Sequence, residues 1–208
     1  KDTKEPEPSP APNPTPSYTV PTTYTFSNAD FSSSSQRIAM LGEITTYLRS
    51  THTTTAATQP TLSAQKLKNM YANAASAFND AALNASGLQL KDKTGNAFSF
   101  ITELEAAFDE AEPASLFSAA NPTTTTASNG VKGKLVSPSR AILVNAQGFE
   151  YKELAEKGIM GAVFYFQAMS LLNNISGFDN STAVNNITAQ EKAWDEAFGY
   201  FGVPVSFP

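Results

Sequence analysis

Apolar residues at helical spacing divide the chain into six predicted helices joined by polar loops. The longest covers about 148–174, GFEYKELAEKGIMGAVFYFQAMSLLNN. One stripe of this segment is apolar or small, and it comprises Tyr151, Leu154, Gly158, Ala162, Tyr165, Met169 and Leu172. From Gly158 onward the opposite side is apolar too, through Met160, Phe164 and Leu171. A helix that is apolar nearly all round is buried on most sides. We therefore expect a bundle in which the other helices pack around this central helix.

A membrane span is the rival interpretation of the same segment. Its apolar run is shorter than the roughly 20 residues that a span needs, and Gln167 and Ser170 interrupt it. Gly158 and Gly161 each weaken a helix by about 1 kcal/mol. We expect them to let a neighbouring helix approach closely.

The other helices are predicted from N-cap residues and apolar faces. They are a helix capped by Ser35 and ending near Arg49, a helix capped by Ser63, short helix 76–82, helix 97–111, and helix 189–201 opened by a capping box of Thr188 and Glu191. The last helix is expected to bury Trp194, Ala197, Phe198 and Phe201. Extended structure is predicted only for short pieces, at about 18–31 and 135–145. The expected fold class is therefore all-α.

The first 17 residues differ in composition from the rest of the chain. They are rich in proline and have almost nothing to bury, so we expect a disordered, extended tether. At about 3.1 Å per residue such a segment could span on the order of 50 Å. Residues 18–208 are expected to form one helical domain.

Composition excludes several kinds of chemistry. The chain has no cysteine, a single histidine (His52), and 14 basic against 19 acidic residues. Without a basic stripe, nucleic acid is not an expected partner. A zinc peptidase normally needs more histidines than the one in this chain. A serine hydrolase needs a histidine base, but His52 is expected to be solvated in a threonine-rich loop, and the chain has no Gly-x-Ser-x-Gly motif. We therefore expect no enzymatic activity.

Carboxylates on the last helix are the remaining candidates for a metal site. Glu191 and Asp195 are four residues apart and share a helix face, and Glu196 follows. These three could hold a divalent or ferric ion if a carboxylate of another helix joined them. The favoured alternative is structural: Glu191 caps the helix, and Glu196 forms a surface ion pair with Lys192.

Aromatic side chains are concentrated on the same helix, at Trp194, Phe198, Tyr200 and Phe201. Their default location is the core. If a second half or a partner protein belongs here, some of these rings form an interface, because exposed apolar patches mark interaction surfaces.

Five segments in order resemble the imelysin-like lipoproteins of Gram-negative outer membranes, in the branch whose unnamed domain carries a WDEAFGY motif. They are RIAMLGEITTYLR, SAQKLKNMYAN, ALNASGLQLKDK, GFEYKELAEKGIMGAVFYFQ and WDEAFGYFGVP. The resemblance implies a helical bundle, a lipid anchor just before Lys1 and a location at the outer membrane. It also implies a second helical half, which would begin where this chain ends.

One departure from the imelysin-like pattern bears on function. These proteins carry a Gly-x-His-x-x-Glu motif; Glu196 matches its glutamate, but Ala193 stands at the histidine position. The peptidase label of some relatives is therefore not carried over. The expected function is a non-enzymatic, lipid-anchored binding module, linked to iron or other metal uptake. The alternatives are a structural subunit of an outer-membrane complex and, last, a metallopeptidase.

Overall fold

The computed structural model describes residue 19 and residues 21–54, 60–95, 99–116, 126–138 and 141–206. Seven α-helices lie in these ranges: α1 (Ser32–Arg49), α2 (Ala64–Tyr71), α3 (Ala81–Ala85), α4 (Phe100–Ala114), α5 (Tyr151–Ile159), α6 (Phe166–Asn173) and α7 (Ala189–Phe201). A π-helical segment, Met160–Tyr165, joins α5 to α6, and 3₁₀ turns lie at Lys91–Lys93 and Ile175–Gly177. Strands β1 (Gly133–Val136) and β2 (Ala141–Val144) complete the fold. The predicted tether, 1–17, lies outside the described residues.

The all-α expectation is wrong, because the two strands form an antiparallel sheet. Gly133 pairs with Val144, and Val136 pairs with Ala141 at the other end. Both strands contact α4, and β2, whose Leu143 is buried, also contacts α5. The fold is thus mixed α/β but mostly helical. Strand β2 falls in the piece predicted as extended, whereas β1 begins in a stretch predicted as a loop.

A continuous helix, Tyr151–Asn173, comprises α5, the π segment and α6, and is called the central helix below. It starts later than predicted because Gly148 has a φ of +88°, which a right-handed helix cannot accommodate. α1, α4 and α7 pack against it. No helix in the described ranges is long and apolar enough to cross a bilayer.

The π segment rotates the buried side of the central helix. Ile159 and Phe164 are buried although they are five residues apart, and Ala168 follows four residues later. One wider turn shifts every later side chain around the helix axis. Tyr165, predicted to lie on the buried stripe, is therefore 63% exposed. Other helices cover one side of the central helix, and another side is exposed. The expectation that this helix is buried on most sides is therefore wrong.

The two glycines of the central helix play different parts. A Cβ on Gly158 would lie 3.3 Å from Leu104 Cδ2 of α4, so close packing explains this glycine, as expected. A Cβ on Gly161 would meet no atom within 4 Å. The expected packing reason for Gly161 is therefore wrong.

Helix caps confirm several predicted starts. Ser63 Oγ accepts a hydrogen bond of 3.2 Å from the Lys66 N–H, and Thr188 and Glu191 form the predicted capping box. α1 begins at Ser32, before the predicted cap Ser35, since the Ser32 N–H donates to Asp30 Oδ1 at 3.0 Å. The short helix α3 begins at Ala81, later than predicted, because Asp80 caps it: Asp80 Oδ1 accepts the Ala82 N–H at 2.8 Å.

Both ends of α4 differ from the prediction. The described part of α4 begins at Phe100, while residues 97–98 of the prediction lie outside the described residues. α4 then runs to Ala114 and includes Pro113 in its last turn.

The hydrophobic core lies between α1, α2, α4 and the central helix. Its fully buried side chains include Met40, Ile44, Leu67, Met70, Tyr71, Phe108, Ile159 and Val163. Burial of a side chain of this size contributes roughly 1.5–3 kcal/mol. The core thus fixes α1 against the central helix.

Glycines allow α7 to approach the first half of α1. A Cβ on Gly199 would lie 1.9 Å from Ser34 Oγ, 2.8 Å from Phe31 Cβ and 3.0 Å from Phe31 O. A Cβ on Gly202 would lie 2.9 Å from Ile38 Cδ1, and Gly202 has the φ of +65° that ends α7. The α1–α7 contact therefore requires positions without a side chain.

We predict that Gly199→Ala lowers the free energy of unfolding by about 1–3 kcal/mol, because the new methyl group must displace the backbone near Phe31. Gly42→Ala in α1 is the matched control, since a Cβ there meets nothing within 4 Å. This control should be neutral or stabilising by up to about 1 kcal/mol. Urea unfolding followed by circular dichroism measures both, and equal values for the two variants would contradict the predicted contact.

Candidate ligand-binding groove

The predicted metal-site residues on α7 are engaged separately. The Asp195 side chain is buried; its Oδ1 accepts the Tyr24 hydroxyl at 2.9 Å, and its Oδ2 accepts the Asp30 N–H at 2.8 Å. Burial, and then the hydrogen bond and charge of Asp195, raise the pKa of Tyr24 above its ordinary value. Asp195 thus joins the segment before α1 to α7.

Glu191 and Glu196 have other partners. Glu191 Oε2 accepts the Thr188 N–H at 2.8 Å, and this cap lowers the pKa of the carboxyl group. Glu196 Oε1 accepts a long hydrogen bond, 3.4 Å, from the Tyr200 hydroxyl. Among the described residues, no group of three or more His, Cys, Asp or Glu side chains is arranged to hold a metal ion. The structure therefore does not unite Glu191, Asp195 and Glu196 in one such group.

The aromatic residues of α7 fall into two classes. Trp194 is 49% exposed and Phe201 is 53% exposed, so the expected burial of these two is wrong. Phe198 stacks on Tyr24 with ring centroids 3.8 Å apart. Tyr200 is buried against Phe164, and burial raises the pKa of its hydroxyl. Of the four predicted interface residues, Trp194 and Phe201 are the exposed ones.

His52 is not solvated as expected. Its side chain is largely buried, and Nε2 lies 3.4 Å from Glu150 Oε1 at the start of the central helix. The histidine thus connects the end of α1 to the central helix.

A groove of about 560 Å³ lies between α1, the central helix and the end of α7. One wall belongs to α1 and comprises Ile38, Leu41, Gly42, Thr45, Thr46 and Arg49. The facing wall comprises Glu156, Met160, Phe164 and Tyr165, and Tyr200, Phe201 and Gly202 close one end. Its volume lies in the range typical of small-molecule sites.

The α1 wall sets the length and direction of the groove. Ile38 and Arg49 are eleven residues apart in one helix, which corresponds to about 16 Å at 1.5 Å per residue. Arg49 shares its end of the groove with Glu156, which lies four residues before the π segment begins at Met160. Ile38 lies beside Gly202 at the other end. The groove is thus elongated, with one apolar end and one charged end.

Gly42 lies in the middle of the α1 wall and keeps the groove open. It lines the groove, and a Cβ at this position would meet no atom within 4 Å. A glycine inside a helix is unfavourable by about 1 kcal/mol relative to alanine. Close helix packing does not explain Gly42. Because this position borders open space, the missing side chain leaves room in the groove.

Charged groups occur at one end of the groove. Glu156 pairs with Lys152, and its Oε1 lies 3.7 Å from Lys157 Nζ. The exposed Arg49 guanidinium forms no ion pair or side-chain hydrogen bond with the described residues. The negative charge at this end is therefore compensated within the protein, and the positive charge of Arg49 is available to a ligand.

Two smaller hollows lie nearby. One, of about 530 Å³, is lined by Gly161, Phe166 and Met169 among others, on the far side of Tyr165. The other, of about 430 Å³, is lined by Phe26, Trp194 and Asp195 among others.

Sequence reasoning missed the groove because its walls come from distant parts of the chain. In the sequence, Arg49 marks only the end of a predicted helix. A glycine in the middle of a predicted helix was the available signal, since such a residue usually has a packing or functional reason.

These features define a mostly helical domain with an elongated apolar surface groove. The chain belongs to the family described as Domain of unknown function (DUF4856), whose model matches residues 21–206. No curated protein and no solved structure matches the chain. The resemblance to imelysin-like lipoproteins stays a prediction.

We predict different consequences for two carboxylates of α7. Asp195→Ala should lower the free energy of unfolding by about 1–2 kcal/mol, because the Tyr24 hydroxyl and the Asp30 N–H lose their acceptor. Glu196→Ala, the matched control, should change it by less than about 0.5 kcal/mol, since its hydrogen bond is long. Chemical unfolding measures both; a larger loss for Glu196→Ala would contradict this assignment.

Proposed function

We propose that this protein is a non-enzymatic binding module that holds an apolar ligand in the groove between α1 and the central helix. The groove itself supports the proposal most strongly. It combines apolar walls, the open position at Gly42 and a few polar groups at one end, which is the usual composition of a small-molecule site.

Binding is supported better than hydrolysis or metal uptake. The side chains that could serve acid–base or metal chemistry on α7 are used as a helix cap, a link to Tyr24 and a contact to Tyr200. The groove walls instead offer contact surface, through Met160, Tyr165 and Phe201. A role in iron uptake is therefore not part of the proposal.

We further propose a location at the outer membrane through an N-terminal lipid anchor. The resemblance to imelysin-like lipoproteins and the proline-rich first 17 residues support this part. A polar tether would hold the domain away from the membrane surface.

A structural subunit of a membrane complex is the second candidate. It is favoured by the half-exposed rings of Trp194 and Phe201, because large apolar side chains at a surface are typical of interfaces.

One experiment on the native protein separates these locations and roles. The protein is extracted from membranes in mild detergent, and its intact mass and its size by gel filtration are measured. We expect added mass from acyl chains and a monomer. An unmodified mass would contradict the anchor, and a stable larger complex would favour the subunit role.

We predict that the neutral fluorescent probe N-phenyl-naphthylamine binds the full chain, because its rings fit an apolar groove without needing a charge. Gly42→Leu should weaken binding at least about tenfold, since the new side chain fills the groove. Gly161→Leu is the matched control: it also adds a side chain where a Cβ meets open space, but outside this groove. Fluorescence titration measures the affinities. Equal binding by Gly42→Leu and the unmodified chain would overturn the proposed site.

A further inference from the structure

The two ends of the groove differ in charge, and this difference restricts the ligand. At the end away from Arg49, Tyr200, Phe201 and Gly202 line the groove together with Ile38, so an apolar chain end would find mainly apolar and aromatic surface there. At the other end stands the exposed guanidinium of Arg49. A ligand that fills the groove therefore needs an apolar tail and a head that tolerates a cation.

The charge that is left outside ion pairs near the head position is positive. Within the described part of the chain, Glu156 is the one carboxylate that lines the groove, and it lies beside Lys152 and Lys157. Lys152 is also paired with Glu153, and Glu150 lies beside His52, so among the described charged groups at this end Arg49 is the one outside an ion pair. The chain as a whole has a net charge of −5. A positive end on an acidic protein favours an anionic head group.

The dimensions of the groove favour a ligand with a single alkyl chain. The α1 wall is about 16 Å long from Ile38 to Arg49, and the groove holds about 560 Å³.

A planar guanidinium is well suited to a carboxylate, which it can contact through two parallel hydrogen bonds.

We infer that the groove binds a single-chain fatty carboxylate, with its carboxylate at Arg49 and its chain running past Gly42 towards Tyr200 and Phe201. This inference rests on the proposed function and adds the class of ligand and its orientation. Thr45 and Thr46 lie along the same wall, between Gly42 and Arg49. They place polar groups near the head rather than near the tail.

The test is isothermal titration of the full chain with dodecanoate, its methyl ester and dodecylamine, each below its micelle concentration. Dodecanoate should bind most tightly, and each methylene removed from its chain should weaken binding about fourfold. Arg49→Gln should weaken dodecanoate about fivefold and leave the methyl ester unchanged. Arg49→Lys, which keeps the charge, should restore much of the affinity.

Controls separate the head group from the groove and from folding. Gly42→Leu should abolish binding of acid and ester alike, whereas Gly161→Leu should not. Arg49 is exposed, so the melting temperature of Arg49→Gln should match that of the unmodified chain.

Two outcomes would overturn the inference. If acid, ester and amine bind equally and Arg49→Gln changes none of them, the groove does not select an anionic head, although the proposed binding function survives. If none of the three binds, the fatty ligand is wrong, and the neutral-probe titration decides independently whether the groove binds anything.

Discussion

The close approach of α1 to α7 is the contact on which the rest of the structure depends. Gly199 and Gly202 give α7 a surface without side chains, and Phe31, Ser34 and Ile38 of the facing segment lie against it. Asp195 reinforces the contact by accepting hydrogen bonds from Tyr24 and Asp30. Because α1 also packs against the central helix, and Met40 and Ile44 share the core with it, the position of α1 defines the walls of the groove.

Two helices carry a destabilising glycine at a position that borders open space. Gly42 in α1 and Gly161 in the central helix both lie where a Cβ would meet nothing, and each lines a hollow. A helix that served only the core would gain from alanine at both positions. The π segment also shapes these hollows, because it turns Tyr165 outward to the edge that the two hollows share.

Local signals in the sequence predicted local structure well. Ser63 and the Thr188–Glu191 pair act within one helical turn, so their caps could be recognised without knowing the fold. The existence of the long helix after Gly148 followed from its apolar periodicity, although the wider turn that redirects Tyr165 has no such signature. The sheet was missed because each strand has only four residues and pairing depends on the partner strand.

The site depended on contacts that no local pattern reveals. Tyr24 and Asp195 are far apart in sequence but form a hydrogen bond. Asp195, which was predicted as a metal ligand, therefore links α7 to the segment before α1. Arg49, Gly42 and Phe201 likewise meet only after folding. From residue types alone we expect no hydrolytic site, whereas the groove depends on the packing of three helices.

A crystal structure of the full chain with dodecanoate tests the central claim most directly, that α1, the central helix and the end of α7 enclose a groove for an amphipathic anion. We predict density for the alkyl chain over Gly42, with the carboxylate within hydrogen-bond distance of the Arg49 guanidinium. A groove filled by the protein's own side chains, or ligand density confined to another hollow, would contradict the account.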